Sequence, residues 1–445
     1  VSNSTSAAAT TARPWSRRLF SPFAILLYVY VAYFALTYSR IYEYVYWELM
    51  NLGTRIIGFH PTAHTLMLYV YGAIVLVCGF AGGYLIAQWT TVRVSRARAA
   101  GRSGPAWFFG MRTWVAQLPL VRSWGAMFTF SAAGWLFGLA ANGLQVLASG
   151  GASLTDIATR WAQSPVLVWF AASQIFFVPA LLVSARSRWQ RVLAAFAVVL
   201  SIFALGLLGA RNLPAKLVVS AFLAAIYVIK PKNVVRLAIT AVLVLVLAMG
   251  VVGAITKAGI YGPSATGGLA LALTYSDSVG TAYNLDRIVR LTPSTGIYGG
   301  RLLYDSTRAL IPGVTADYAN FQIGQYLGGR SYFVIGNERI DRSVSLAPTL
   351  LGAPYADWGV GGVVGQMLLL GAVFGYLQRR GREALWLVPF LVTMASYVIN
   401  GVNAGVHNPH AIIAVSSSVA VVLVDAVLTP LAPDALQPTV PDTSE

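Results

Sequence analysis

The sequence predicts an all-α polytopic membrane protein, and three observations carry that reading. Of its 445 residues, 57% are hydrophobic and 10% charged, and the mean hydropathy is +0.67, well outside soluble composition. Apolar runs long enough to cross a bilayer core as helix, about 20 residues each, recur along the chain. Arginine and lysine gather in alternate connections between those runs.

The runs lie near residues 19–38, 64–88, 123–147, 165–184, 192–209, 213–229, 235–255, 358–378, 384–402 and 409–428, which makes about ten transmembrane helices. Leu19 to Tyr38 follows Arg13, Arg17 and Arg18 as a signal peptide would. The stretch Thr37-Tyr38-Ser39-Arg40 offers no small-residue cleavage site, so an uncleaved signal anchor is expected.

With the N-terminus inside, the inner connections carry Arg93, Arg96, Arg98, Arg102, Arg112 and Arg122, then Arg186, Arg188 and Arg191. Lys230, Lys232 and Arg236 follow, and finally Arg379, Arg380 and Arg382. Each is basic, as the positive-inside rule requires, and both termini are expected in the cytoplasm. The formal net charge of +16 is explained by this topology rather than by a nucleic-acid partner.

The expected organisation is an N-terminal bundle of about seven helices over 1–255, an extracytoplasmic loop region over 256–353, and C-terminal transmembrane helices over 354–428. A Pro-rich polar tail, "TPLAPDALQPTVPDTSE" over 429–445, is expected to be disordered. The loop region contains "GIYGG", "LIPG", "LGGR" and "VIGNERIDR", which mix turn glycines with short apolar pieces. Short helices packed over the bundle are expected there. Arg40 to Ile57 alternates aromatics with charges and suits an amphipathic helix at the outer interface.

The single cysteine, Cys78, excludes an internal disulfide and a cysteine-based metal site, and its apolar surroundings predict a packed thiol. No zinc site is credible, because His60 and His64 are far in sequence from His407 and His410 and no acidic cluster completes a set. The glycine pairs lack the lysine-bearing spacing of a phosphate loop. No cofactor is expected.

The positive-inside rule makes outer cations the residues that need a reason. They are Arg40, Arg55, Arg160, Arg211, Lys216, Lys257, Arg287, Arg290, Arg301, Arg308, Arg330, Arg339 and Arg342. The acids of the loop region are Asp277, Asp286, Asp305, Asp317, Glu338 and Asp341, so the surplus is positive and an anionic ligand suits it. A guanidinium stays charged and presents a planar fork that matches phosphate oxygens. Arg211, in the short turn "GARNLP" between two spans, is held near the level of a lipid phosphate. A side chain snorkelling to ordinary headgroups is the alternative.

"LLGARNLPAKLVVSAFLAAIYV" resembles the Gly-Ser-Arg-Gly turn and apolar helix of bacterial O-antigen polymerases and ligases. "APTLLGAPYADWGVGGVVGQMLLLGAVFGYL" is similar to the Tyr-x-Asn-Phe-Gly-x-x-Gly segment of Wzy-type polymerases, and "LIPG" to a Pro-containing piece of their large periplasmic loop. Asn212 stands in place of the usual glycine, and Asp357 in place of the more frequent asparagine.

The resemblance implies a metal-independent glycosyltransferase of the GT-C type in the bacterial inner membrane. It implies transfer of a growing glycan from undecaprenyl diphosphate to a lipid-linked oligosaccharide repeat unit at the outer face. Membrane lipids and a chain-length regulator protein are the expected partners.

Such a transfer builds negative charge on the departing pyrophosphate, which fixed cations stabilise, each by on the order of 3 kcal/mol. By this resemblance Arg211 is expected to clamp the pyrophosphate, with Lys216 below it. In "ERIDRS", Arg339, Asp341 and Arg342 gather before the next membrane segment. Arg301 and Arg308, seven apart in "RLLYDSTRAL", share a helix face, and salt bridging of Arg308 to Asp305 is the alternative for that pair.

A base for the sugar hydroxyl is sought among Asp305, Asp341, Asp357 and His407. Tyr355, Asp357 and His410 are expected glycan contacts, the histidines lying in the outer turn "NAGVHNPH", with a plain polar turn as the alternative. An O-antigen ligase shares the donor and differs in acceptor. A flippase for lipid-linked sugar is the transporter alternative, and spans nearly free of charge argue against it.

Overall fold

The computed structural model describes residues 19–38, 62–99, 124–138, 140, 165–207, 212–228, 235–241, 243–244, 280–308, 310–311, 331–335, 338–342 and 349–428. The elements are α1 (Pro22–Tyr38), α2 (Ala63–Ala99), α3 (Trp124–Gly138), α4 (Pro165–Ser184), α5 (Arg188–Leu207), α6 (Asn212–Val228), α7 (Gly280–Thr295) and α8 (Arg301–Arg308). Strands β1 (Ser331–Ile335) and β2 (Glu338–Arg342) come next, then α9 (Gly352–Arg380), α10 (Val388–Ala404) and α11 (Pro409–Leu428).

Among the described residues, 5 helices are long and apolar enough to cross a membrane. They are Ala63–Arg93, Arg188–Gly206, Gly352–Arg380, Leu385–Val402 and Pro409–Val427, with shorter apolar helices at Pro22–Tyr33, Trp169–Ser184 and Leu213–Tyr227. The chain is a helical membrane protein. Of the run near 235–255 only 235–241 and 243–244 are described, and they are helical. The Arg40 to Ile57 segment and the tail lie outside the described residues.

The most extensive helix contact is between α2 and α9, and glycine permits it. A Cβ at Gly79 or Gly83 would strike the backbone carbonyls of Leu368 and Ala372, and one at Gly371 or Gly375 those of Leu76 and Phe80. Two small-xxx-small pairs therefore face each other and let the backbones touch. Of the long apolar helices, α10 is the most enclosed.

A polar lock joins α3, α4 and α5: Trp135 Nε1 donates to Ser201 Oγ at 2.6 Å, and Ser201 donates to Gln174 Oε1 at 3.3 Å. Such bonds hold helices together where lipid supplies no hydrophobic drive.

The bundle has two chemically different ends. At one, the N–H of Phe23 donates to Gln378 Oε1 at 3.3 Å and Thr91 Oγ1 to Glu383 Oε2 at 2.8 Å. At the other, the N–H of Thr62 donates to Asp286 Oδ1 at 2.7 Å, where α7 meets the start of α2.

Three expectations are corrected. The loop region holds a hairpin besides its helices, with Ser331 opposite Arg342 and Val334 opposite Arg339. The β-branched and aromatic residues of "SYFVI" and the two-residue Gly-Asn connector favour it. Cys78 is exposed on α2 rather than packed, because the adjoining glycine face is the one turned to α9. The spans are not free of charge, since Asp425 of α11 is fully buried against Arg380 of α9.

Candidate functional site

α9 breaks six residues after it starts: Trp358 has φ −143° and ψ 16°, and Gly359 has φ 64° and ψ −149°. Only glycine adopts the second pair without strain. The break frees the backbone carbonyls of Ala356 and Asp357, which accept the N–H groups of Tyr298 at 3.0 Å and Gly299 at 2.9 Å. The connection before α8 is thereby laid on the break.

α8 divides its side chains sharply. Leu302, Asp305 and Ser306 are buried, whereas Tyr304 is exposed and Arg301 keeps over half of its side chain in the open. Arg301 and Arg308 share the outer face, as their spacing predicts. Arg301 Nε lies 3.8 Å from Asp305 Oδ2, so the carboxylate reaches back to Arg301 rather than forward to Arg308. Arg308 lies 5.8 Å from the centre of the Tyr304 ring.

Beneath α8 are Asp357 and His407. Asp357 is fully buried, and His407 Nδ1 lies 3.4 Å from its Oδ2 without forming an aligned hydrogen bond. The Trp358 ring meets His407 edge to face at 6.0 Å between centroids. Ser306 Oγ donates to the His407 carbonyl at 2.8 Å, tying α8 to the α10–α11 turn. Asp305 Oδ2 is buried without a hydrogen-bond donor among the described residues.

A second group lies between helices at this same end. Lys216, in the first turns of α6, is 4% exposed because α4 and α10 enclose that helix. Its ammonium sits 4.8 Å from the centre of the Tyr397 ring, a cation–π contact. No carboxylate lies within ion-pair distance of it among the described residues. His410, from the first turn of α11, stacks on Tyr397 at 6.4 Å. Lys216 therefore faces the bundle interior and not the lipid.

Tyr355 turns away from Asp357: its hydroxyl lies 3.4 Å from His64 Nε2 at the start of α2. Nearby, Asp286 accepts from Thr62, Thr65 and Arg290. Burial raises the Asp286 carboxyl, and these hydrogen bonds outweigh it and hold the group below its ordinary value.

Arg211 lies outside the described residues. Arg339, Asp341 and Arg342 are on β2, placed by register alone. The structure therefore brings together Asp305, Asp357 and His407, and separately Lys216 and His410, which sequence spacing alone could not group. Sequence reasoning passed over Ser306, Trp358 and Tyr397. Tyr397 carried no signal, being one aromatic in an apolar run.

A family model described as "Putative O-antigen polymerase" matches residues 18–414. No curated protein and no solved structure matches the chain.

Proposed function

The chain belongs to the O-antigen polymerase family, and we propose that it transfers a growing glycan from undecaprenyl diphosphate to a lipid-linked repeat unit at the outer face of the inner membrane. The general role, polysaccharide polymerisation by a membrane protein, is the family's. The donor, the acceptor and the residues are our reading.

In this reading a hydroxyl of the acceptor sugar attacks the anomeric carbon of the donor glycan. The bond from that carbon to the pyrophosphate oxygen breaks, and the hydroxyl proton passes to a base. Asp305 takes the proton, since its buried Oδ2 accepts no hydrogen bond among the described residues, with the Arg301 guanidinium 3.8 Å away as its ion-pair partner. Charge on the departing diphosphate is neutralised by side chains in the manner of a metal-independent GT-C enzyme, with Arg211, Lys216 and the exposed Arg301 and Arg308 as the cations. Both termini then lie in the cytoplasm, and a chain-length regulator is the protein partner we expect.

One observation carries the reading: a buried ammonium, Lys216, without a carboxylate among the described residues, at the same end of the bundle as Asp305 and His407. An isolated charge in a membrane protein interior is costly and marks ligand binding more often than packing.

The test is polymer formation by purified protein in liposomes supplied with lipid-diphosphate-linked repeat units. A ladder from the wild type that is lost in Arg211→Ala and Asp305→Asn supports the assignment. Transfer to a different lipid acceptor without a ladder would replace polymerase by ligase. Movement of the lipid-linked sugar between leaflets without new glycosidic bonds would replace enzyme by flippase.

A further inference from the structure

α8 cannot cap its own N-terminus. The residues before it are Tyr298, Gly299 and Gly300, none of which supplies the short acceptor side chain that the first amides of a helix need. Asp357 supplies it from a distance. Its Oδ1 accepts the N–H of Leu302 at 3.0 Å and its Oδ2 the N–H of Leu303 at 3.1 Å, 55 and 54 residues away in sequence.

Both oxygens of Asp357 are thus occupied, and the residue is fully buried. Asp305, one turn along α8, differs in having a carboxylate oxygen that accepts no hydrogen bond among the described residues and faces the Arg301 guanidinium at 3.8 Å. Gly300 has φ +86°, and a Cβ there would lie 2.8 Å from the Trp358 ring. The approach of α8 to the α9 break is therefore close, and any side chain at 300 would push it off.

We propose that Asp357 is a positioning residue: by binding the first amides of α8 it sets Asp305 and Ser306 against the α10–α11 turn, and it takes no proton in the reaction. The kinetic part of this inference rests on the polymerase reading; the structural part does not.

Two variants separate the roles. Asp357→Asn removes one acceptor and turns an amide donor towards an N–H. Gly300→Ala removes no chemical group and displaces α8 through contact with Trp358 and through strain at a left-handed φ. Each is reconstituted in liposomes and read by polymerisation rate across pH and by trypsin cleavage at Arg301 and Arg308, mapped by mass spectrometry.

Both variants are expected to slow turnover by roughly tenfold to a hundredfold, the cost of misplacing a reacting group by about an ångström. The shape of the pH profile is retained, and Arg301 and Arg308 become more readily cleaved. Asp305→Asn is expected to lose turnover with cleavage unchanged.

Loss of turnover in Asp357→Asn with wild-type cleavage would overturn the proposal in favour of direct participation. Wild-type rate and cleavage in Gly300→Ala would also overturn it. If Asp357→Asn does not fold, Gly300→Ala decides alone. If the wild type forms no polymer, the polymerase reading fails, and the cleavage patterns still decide whether Asp357 holds α8.

Discussion

The guanidinium of Arg380 grips the carboxylate of Asp425 with two nitrogens, Nε to Oδ2 at 2.7 Å and Nη2 to Oδ1 at 3.0 Å. Tyr376 donates its hydroxyl to the same Oδ2 at 2.7 Å, and Arg380 Nη1 also reaches Glu383 at 2.8 Å. The pair joins α9 to α11 at the end opposite Asp357, with Asp425 fully enclosed. Arg380, read in the sequence only as a basic residue of a connection, thus also joins two helices.

Removing Asp425 leaves the buried guanidinium of Arg380 with the more exposed Glu383 as its remaining counter-charge and strips it of two charge-assisted hydrogen bonds. Asp425→Ala is expected to destabilise the protein by about 3–5 kcal/mol, the usual cost of breaking a buried ion pair. Thermal unfolding in detergent would show it as a large fall in Tm. An unchanged Tm would mean that the pair contributes nothing net.

At the Asp357 end, Asp286 is expected to make stability depend on acid. Its carboxyl is held below its ordinary value by donors from Thr62, Thr65 and Arg290, against the upward pull of burial. A depressed carboxylate stabilises the fold above its unfolded pKa, about 3.9, and that contribution disappears as pH falls through the folded value. Asp286→Asn should therefore unfold more easily than the wild type near neutrality, with the gap closing in strong acid. A gap that is constant with pH would show that the charge is not what holds α2 to α7.

The helices were legible because bilayer thickness imposes a run length. The apolar runs read at 165–184 and 409–428 coincide with Pro165–Ser184 and Pro409–Leu428. α2 was read too short, because Arg93 and Arg96 end the apolar run without ending the helix. The pairings were not legible. Arg380 meets Asp425 across 45 residues and Asp357 meets Leu302 across 55, and no periodicity links such positions. Of the hairpin, the sequence shows a turn glycine between short apolar pieces in "VIGNERIDR", a pattern that does not separate a hairpin from the short helices expected there.

The contact of α2 with α9 depends on missing side chains, which gives a prediction with its own control. Gly83→Val and Gly375→Val place atoms where the carbonyls of Ala372 and Phe80 lie, and backbone cannot move aside cheaply. Gly82→Ala and Gly365→Ala meet nothing within 4 Å. The first two are expected to abolish folded protein in size-exclusion chromatography, and the second two to elute as wild type. Equal behaviour of all four would mean that the helices do not touch there.

Lys216 distinguishes a residue kept for packing from one kept for binding. Replacing a buried ammonium that has no carboxylate partner by an apolar chain of similar length removes a desolvation cost and forfeits one cation–π contact, worth about 0.5–2 kcal/mol. Lys216→Met is therefore expected to melt at or above the wild-type temperature. If the ammonium meets the donor diphosphate, the same variant loses roughly a hundredfold in polymerisation, as expected when a charge-stabilising group is removed, and Lys216→Arg recovers part of it. A variant both less stable and fully active would make Lys216 a structural cation held by Tyr397. Unchanged activity with raised stability would remove it from the site and leave Arg211 as the cation to test.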